Sequence, residues 1–435
     1  MTPPADRPSS LANRVVLAAG LAALAPLVWQ WAAFRELFWF GDEWDLLSQI
    51  EQTGFWPWLW SVFAENFVPV FKLLWGGAAQ LFGGSYLAML LLLWGTHAIN
   101  AVLFGRLLLR AGFPLVAALF CQLTFGLSAV NIETLGWTVQ WSAVLATTFF
   151  LLGLLALPTP ASAPHTTSRR LAALVLCSAG SALSFSRGVL TGAVLALAQF
   201  WPEARLRLDL RGRTLARAAL CLAPAIAAAA LIALFATGNH RSLSHHLAEA
   251  STYALWYFSL NPLHRLIAVD SWGPVTITLL GLAKIALLVW GWRQASPGQR
   301  HLLGLLLAFD LGNSVLLGIG RYHTGLETAI SSRYQYGSLL AVLPFAGLVL
   351  DRLLARVPVV FRLRPVVATL LLIAASLYFL REWSHEAPGF AHGRGTVTRR
   401  LIHHDQNPPE MGAVPGIPFL STSRAKELTR NFNLH

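Results

Sequence analysis

The sequence predicts an all-α fold: a polytopic transmembrane helical bundle with interfacial helices in its first outer loop. Three observations carry that prediction. Of the 435 residues, 55% are hydrophobic and only 12% charged, with a mean hydropathy of +0.56, so there are too few polar side chains to cover a soluble globule of this length. Apolar runs long enough to cross a hydrocarbon core of about 30 Å recur along the chain. Most arginines stand in the short links between those runs, so the formal charge of +12 is an orientation signal and not a nucleic-acid footprint.

The first run, Val15 to Phe34, is followed by aromatics and acids in place of a small-residue cleavage site, and reads as a retained helix. Two later segments decide the topology. Residues 66–83 are interrupted by Lys72 and a glycine pair, and 171–201 carries Arg187 and Gly188 at its middle. If 66–83 lies in the interface and 171–201 is a hairpin turning near Arg187, then Arg106, Arg110, Arg169 and Arg170 share a side with the other linker arginines. Those are Arg205, Arg207, Arg211, Arg213, Arg217, Arg293, Arg300, Arg352, Arg356, Arg362 and Arg364. The positive-inside rule selects this arrangement. Spans then fall near 14–34, 85–109, 113–130, 138–157, 171–186, 188–201, 215–236, 273–292, 301–319, 335–355 and 366–380, about eleven in all. The N-terminus is expected inside a bacterial plasma membrane, and the C-terminus on the outer, periplasmic face.

The organisation expected is a transmembrane domain over 1–380, an outer loop with interfacial helices over 35–84, and a short polar outer-face tail over 381–435. The outer face also collects 131–137, 237–272 and 320–334. In the first loop, 43–52, 57–65 and 69–82 read as interfacial helices, and its tryptophans suit the headgroup level. The tail shifts towards Pro, Gly, His and Arg, and one short helix is expected from Ser421 to Asn431.

The densest acid cluster follows the first span, in Trp39-Phe40-Gly41-Asp42-Glu43-Trp44-Asp45. Carboxylates beside a bilayer are costly, which makes them functional candidates. The plainer account is that Asp42 only caps a helix over 43–52. Glu133, Arg187 and the pair Arg333-Tyr334 fall on the same face under the chosen topology. Asn66, Lys72 and Trp137 are expected, with Asp45, to line a cleft between them. A carboxylate with nearby guanidiniums suits group transfer from a lipid-linked phosphate. One acid takes the acceptor's proton, and a planar cation holds the departing phosphate.

Other polar groups read as structural. His97 and Asn100, one turn apart, suit interhelical hydrogen bonding. Lys284 and Asp310 suit mutual neutralisation inside two spans. Cys121, Cys177 and Cys221 lie in apolar runs without ligand spacing, and the outer histidines His240, His245, His246, His264 and His323 show no ordered spacing either. No cofactor and no metal site are expected.

The order of an Asp-Glu loop after the first span, interfacial helices, Ala118-Leu119-Phe120 leading to Val130-Asn131-Ile132-Glu133-Thr134-Leu135-Gly136-Trp137, and later Ser332-Arg333-Tyr334 resembles the GT-C-type membrane glycosyltransferases, above all the protein O-mannosyltransferase-like branch. The resemblance implies a polyprenyl-phosphate-linked sugar as donor and a glycan, lipid or protein as acceptor, with membrane lipid around the bundle and no nucleic acid. It implies Asp42, in the pair with Glu43, as catalytic base, Glu133 as the assisting second-loop acid and Arg333 as the cation at the donor phosphate; the residues themselves add Glu43 as an assisting acid, and Tyr334 and Arg187 beside that phosphate. Several relatives carry His-Pro before the second-loop acid, where this chain has Ser128-Ala129-Val130. The competing readings are a ligase or polymerase of lipid-linked glycans, and a transporter or flippase built on Lys284 and Asp310.

Overall fold

The apolar runs fold as helices wherever the sequence supplies a start and a stop. The computed structural model describes residues 10–63, 66–158, 167–200, 211–235, 245–267, 273–356, 364–396, 398–399, 402, 413–414 and 417–435. In chain order the helices are α1 (Ser10–Leu21), α2 (Ala25–Trp29) and α3 (Trp31–Phe34), then the first-loop helices α4 (Asp42–Thr53), α5 (Phe55–Trp60) and α6 (Pro69–Leu81). Next come α7 (Tyr86–Arg110), α8 (Leu115–Leu127), α9 (Ile132–Gly136), α10 (Trp141–Ala156), α11 (Ser168–Ala182) and α12 (Val189–Ala198). The second half holds α13 (Arg211–Phe235), α14 (Leu247–Leu260), α15 (Leu263–Leu266), α16 (Pro274–Gln294), α17 (Pro297–Arg321), α18 (Gln335–Arg356) and α19 (Arg364–Ala391). A small antiparallel hairpin, β1 (Ala413–Val414) with β2 (Ile417–Ser421), leads into α20 (Thr422–Asn431). The fold is an all-α polytopic bundle.

Local chemistry sets the helix starts. Ser85 accepts from Ala88 N to begin α7, and Ser296 with Gln299 closes a reciprocal capping box on α17. Eight stretches among the described residues are long and apolar enough to span a membrane, and α8 joins α9 as a ninth across a 43° bend. The bend sits at Ser128, whose side chain accepts from Val130 N.

The expected count of about eleven is therefore reached only by including α11 and α12. These form the expected hairpin, turning at Ser186–Gly188, but at 15 and 10 residues they rise only about 22 and 15 Å. Neither crosses alone. The last span differs too: it continues past 380 to Ala391. Arg205, Arg207, Arg362 and His240 lie outside the described residues, as do residues 64–65 of the helix expected over 57–65, which is observed as Phe55–Trp60.

Hydrogen bonds show which loops share an end of the bundle. Val70 N donates to Leu183 O and Ser186 N to Asn66 Oδ1, so the first loop meets the α11–α12 turn. Thr138 N donates to Glu43, and Arg333 N to Glu133. At the opposite end Gln299 donates to Gly112 O, and Arg110 to the carbonyls of Leu155 and Leu157. This partition matches the one the arginines select.

Segment 237–272 is not a simple surface loop. Its helix α14 runs antiparallel to α17, with Ala254 O accepting from Ser314 Oγ and Tyr257 hydrogen-bonded to Asn313 and Asp310. Asp310 lies eleven residues, or about 16 Å, from the end of α17 at Arg321, so α14 descends well into the bundle. Lys284 receives it there: Nζ donates to Phe258 O in the last turn of α14 and to Asn261 O just past its end, and pairs with Asp310 at 3.5 Å. A cation at a helix C-terminus and a buried ion pair are thus one structure. A helix of 14 residues with Ser, Thr and Tyr in it carries no span signal, which is why sequence reading leaves it as loop. His97 and Asn100 bond across helices, both reaching Tyr336 OH, at 2.9 and 3.1 Å.

The first-loop tryptophans also depart from expectation. Trp56 and Trp60 are exposed, but Trp39, Trp44, Trp58 and Trp75 are fully buried. Trp39 meets Trp75 and Tyr86 edge-on, Trp58 packs at a tilt against Trp75, and Trp44 at a tilt against Phe38. Each removes roughly 150–250 Å² from contact with water or lipid headgroups. The loop is a packed aromatic layer beneath an interfacial rim.

Candidate functional site

Asp42 owes its place to the glycine before it. Gly41 has φ +57°, and a Cβ there would stand 3.1 Å from the Trp137 ring, so only glycine fits this turn. Gly41 is the N-cap of α4 and Asp42 the first helical residue. Asp42 is therefore not the cap that the plainer account required. Its side chain is exposed, yet burial within surrounding protein is the main influence on its carboxyl and pushes it above the ordinary value of 3.8. Arg333 and Arg321 pull the other way, and Asp45 adds to the rise. Asp45 is half-buried, accepts from Gln49 Nε2 at 3.0 Å, and is raised by burial against the pull of that bond and of Lys72.

Glu43 has a different task. It is fully buried, its Oε2 accepting from Phe40 N at 2.7 Å and its Oε1 from Thr138 N at 3.0 Å and from Thr138 Oγ1. Burial pushes it up to about 8 despite those bonds. Both oxygens are committed to joining the first and second outer loops, so Glu43 has no face left for substrate.

Lys72, expected in the cleft, is buried under α5. Its Nζ donates to Trp58 O, Ser61 O and Ser61 Oγ at 2.8–2.9 Å, which uses all three protons. Burial lowers it to about 8, with Asp45 opposing. Asn66 is likewise occupied by Ser186 N, and Trp137 is buried, donating to Phe40 O at 3.2 Å. All three are thus engaged by other parts of the chain.

Glu133 meets Ser332-Arg333-Tyr334 as expected, though in an unexpected role. Its backbone N donates to Ser332 Oγ, its Oε2 accepts from Arg333 N at 3.1 Å, and its Oε1 pairs with Arg394 at 2.7 Å. Arg394 comes from the tail, and its surroundings in sequence, His392-Gly393-Arg394-Gly395, give no signal that would have found it. The Arg333 guanidinium lies over the Tyr334 ring at 5.1 Å, and its Nε finds no acceptor among the described residues. Arg187 is 6% exposed, its guanidinium over Phe185 at 5.5 Å, and its Nη2 is likewise buried without an acceptor among them. Tyr334 is among the groups acting on both arginines. Arg333 thus acts on Asp42, and Tyr334 on both arginines, while Glu43, Glu133 and Lys72 are committed to partners around them.

The outer histidines go separate ways. His246 stacks on Tyr322 and approaches Glu249 at 3.5 Å, and His264 is buried against Leu260 O. Among the described residues no three His, Cys, Asp or Glu side chains converge as a metal site.

No family model and no curated protein matches this chain. Among solved structures it is similar to an oligosaccharyltransferase of Archaeoglobus fulgidus tethered to an acceptor peptide, at 14% identity over 98% of this chain, with a TM-score of 0.47. It is also similar to the S. cerevisiae protein O-mannosyltransferase Pmt1-Pmt2 complex bound to its sugar donor, at 14% identity over 53% of the chain and a TM-score of 0.38. The chain spans 59% and 34% of those proteins' own lengths.

Proposed function

We propose that this protein is a GT-C-type membrane glycosyltransferase, moving a sugar from a polyprenyl-phosphate donor to a glycan, lipid or protein acceptor on the outer face. The observation that supports it best is an exposed carboxyl at Asp42 together with two arginines, Arg333 and Arg187, that each hold one buried N–H without an acceptor among the described residues. Unsatisfied buried donors are costly. An anion between them would satisfy both, and a phosphate monoester offers the oxygens for it. The motif resemblance through Asp42 and Arg333 points the same way.

In this reading Asp42 accepts the proton of the acceptor hydroxyl or amine as it attacks the anomeric carbon. The bond from that carbon to the phosphate oxygen breaks, and Arg333 and Arg187 stabilise the polyprenyl phosphate that leaves. A carboxylate whose pKa is raised by burial is a stronger base once ionised. Glu133 and Glu43 serve as frame residues and not as second bases.

Mass spectrometry of lipids that copurify tests the donor. A monophosphate polyprenyl sugar is expected, whereas a diphosphate-linked oligosaccharide would favour a ligase. With that donor, Asp42→Asn should bind normally and lose about 10²–10⁴ in turnover. Near wild-type turnover would remove Asp42 as base.

A further inference from the structure

Glu133 is shared between two arginines on unequal terms. It takes the side chain of Arg394 at 2.7 Å but only the main-chain N–H of Arg333 at 3.1 Å. It is among the carboxylates that act on the Arg333 guanidinium, yet that guanidinium keeps its Nε without an acceptor among the described residues. A free carboxylate at this spot would close the stronger charge-assisted pair.

Arg394 is built to prevent that. Its guanidinium lies over the rings of Phe40 at 4.8 Å, Phe390 at 5.3 Å and Trp137 at 5.5 Å, three cation–π faces around one charge. The backbone beside it is equally confined. A Cβ on Gly395 would stand 2.5 Å from Phe38 N, and one on Gly136 would stand 2.3 Å from the Phe390 ring. So the tail, the segment before Asp42 and the second outer loop are locked around Arg394.

We propose that Arg394 is a positioning residue, which holds Glu133 away from the Arg333 guanidinium and leaves that guanidinium open to an anionic ligand. This rests on the reading of Arg333 as the donor-phosphate cation. Without Arg394, Glu133 turns to the Arg333 guanidinium, on which it already acts, and the ligand must then compete with a tethered carboxylate. Glu133 is then an inhibitor of the site instead of part of its frame.

The experiment follows phenylglyoxal modification of Arg333 in the full-length protein in detergent, by peptide mass spectrometry, together with thermal midpoints. Arg394→Gln should slow modification about fivefold, as a partly exposed ion pair masks the guanidinium. Arg394→Lys, which keeps a charge opposite Glu133, should stay near the wild-type rate. The double variant Arg394→Gln with Glu133→Gln should recover it. A residue that merely held the fold together would speed modification when removed, because loosening exposes Arg333. An unchanged or faster rate in Arg394→Gln, or no recovery in the double, overturns the proposal. Should Arg394→Gln fail to fold, Arg394→Met keeps a stem among the rings and carries the same expectations. A short-chain polyprenyl phosphate added to wild type should protect Arg333. Absence of that protection alongside the slowed Arg394→Gln would sink the donor reading and leave the Arg394–Glu133–Arg333 competition standing.

Discussion

At the scale of single residues, Asp42 and Glu43 show how adjacent acids part company. Asp42 reaches solvent between cations, whereas Glu43 is sealed by Phe40 and Thr138. If Asp42 is the base, activity needs it ionised and is lost as pH falls through its folded pKa. Burial sets that limb above 3.8, and Arg333 restrains the rise. Arg333→Ala should therefore move the acid limb of whatever turnover remains to higher pH. A limb that stays in place would dissociate the two groups. Glu43 makes a separate forecast about stability. Its carboxyl rises from 4.5 unfolded to about 8 folded, so its favourable contribution is complete below pH 4.5 and is lost as pH climbs to 8. The thermal midpoint of the wild type should fall across that window. Glu43→Gln should flatten the fall, and an unaltered slope would assign the effect to other groups.

At the scale of elements, the Lys284–Asp310 pair earns its place through α14. Lys284 donates to Phe258 O and Asn261 O, and Asp310 accepts from Ser338 Oγ while bonded to Tyr257. Tyr257 in turn reaches Tyr334 O, beside Arg333. Breaking half of a buried pair costs about 3–5 kcal/mol, because the remaining charge has no counterpart. Asp310→Asn should thus lower the thermal midpoint more than Lys284→Met combined with Asp310→Leu. A harmless single change beside a stable but inactive double would give the pair a part in transport or catalysis. Gly41 acts at the same scale by directing the start of α4 towards the Asp42 position.

At the scale of the whole molecule, five separated segments gather at one end of the bundle. The first loop, the α9 loop, the α11–α12 turn, the segment before α18 and the tail are joined there by Glu43, Asn66, Glu133 and Arg394. The tail also docks α20 on α4 through Arg424 and Glu51. A cysteine placed at exposed Gln52 should therefore react with an impermeant thiol reagent from the outer side of the membrane, and one at exposed Arg293 only after permeabilisation. Wild type, with its three native cysteines, supplies the background. The opposite result would invert the bundle and move the proposed site to the cytoplasm.

Sequence alone determined the all-α membrane class, most of the long spans, the hairpin at Arg187 and the sharing of one end by Asp42, Glu133 and Arg333. Those follow from hydropathy, helical length and the placement of arginines, which act locally or add up along the chain. Tertiary structure decided which of the neighbouring polar groups are free. Nothing in Asp42-Glu43 distinguishes an open acid from a sealed one, because the difference lies in Thr138, 95 residues away. Lys72 became a clamp and α14 a descending helix for the same reason, since their partners come from distant segments. Arg394 was invisible because its role depends on three rings and one carboxylate that only the folded chain brings together. Burial and pairing are properties of the assembled neighbourhood, and they set whether a charge is spent on the fold or left for a ligand.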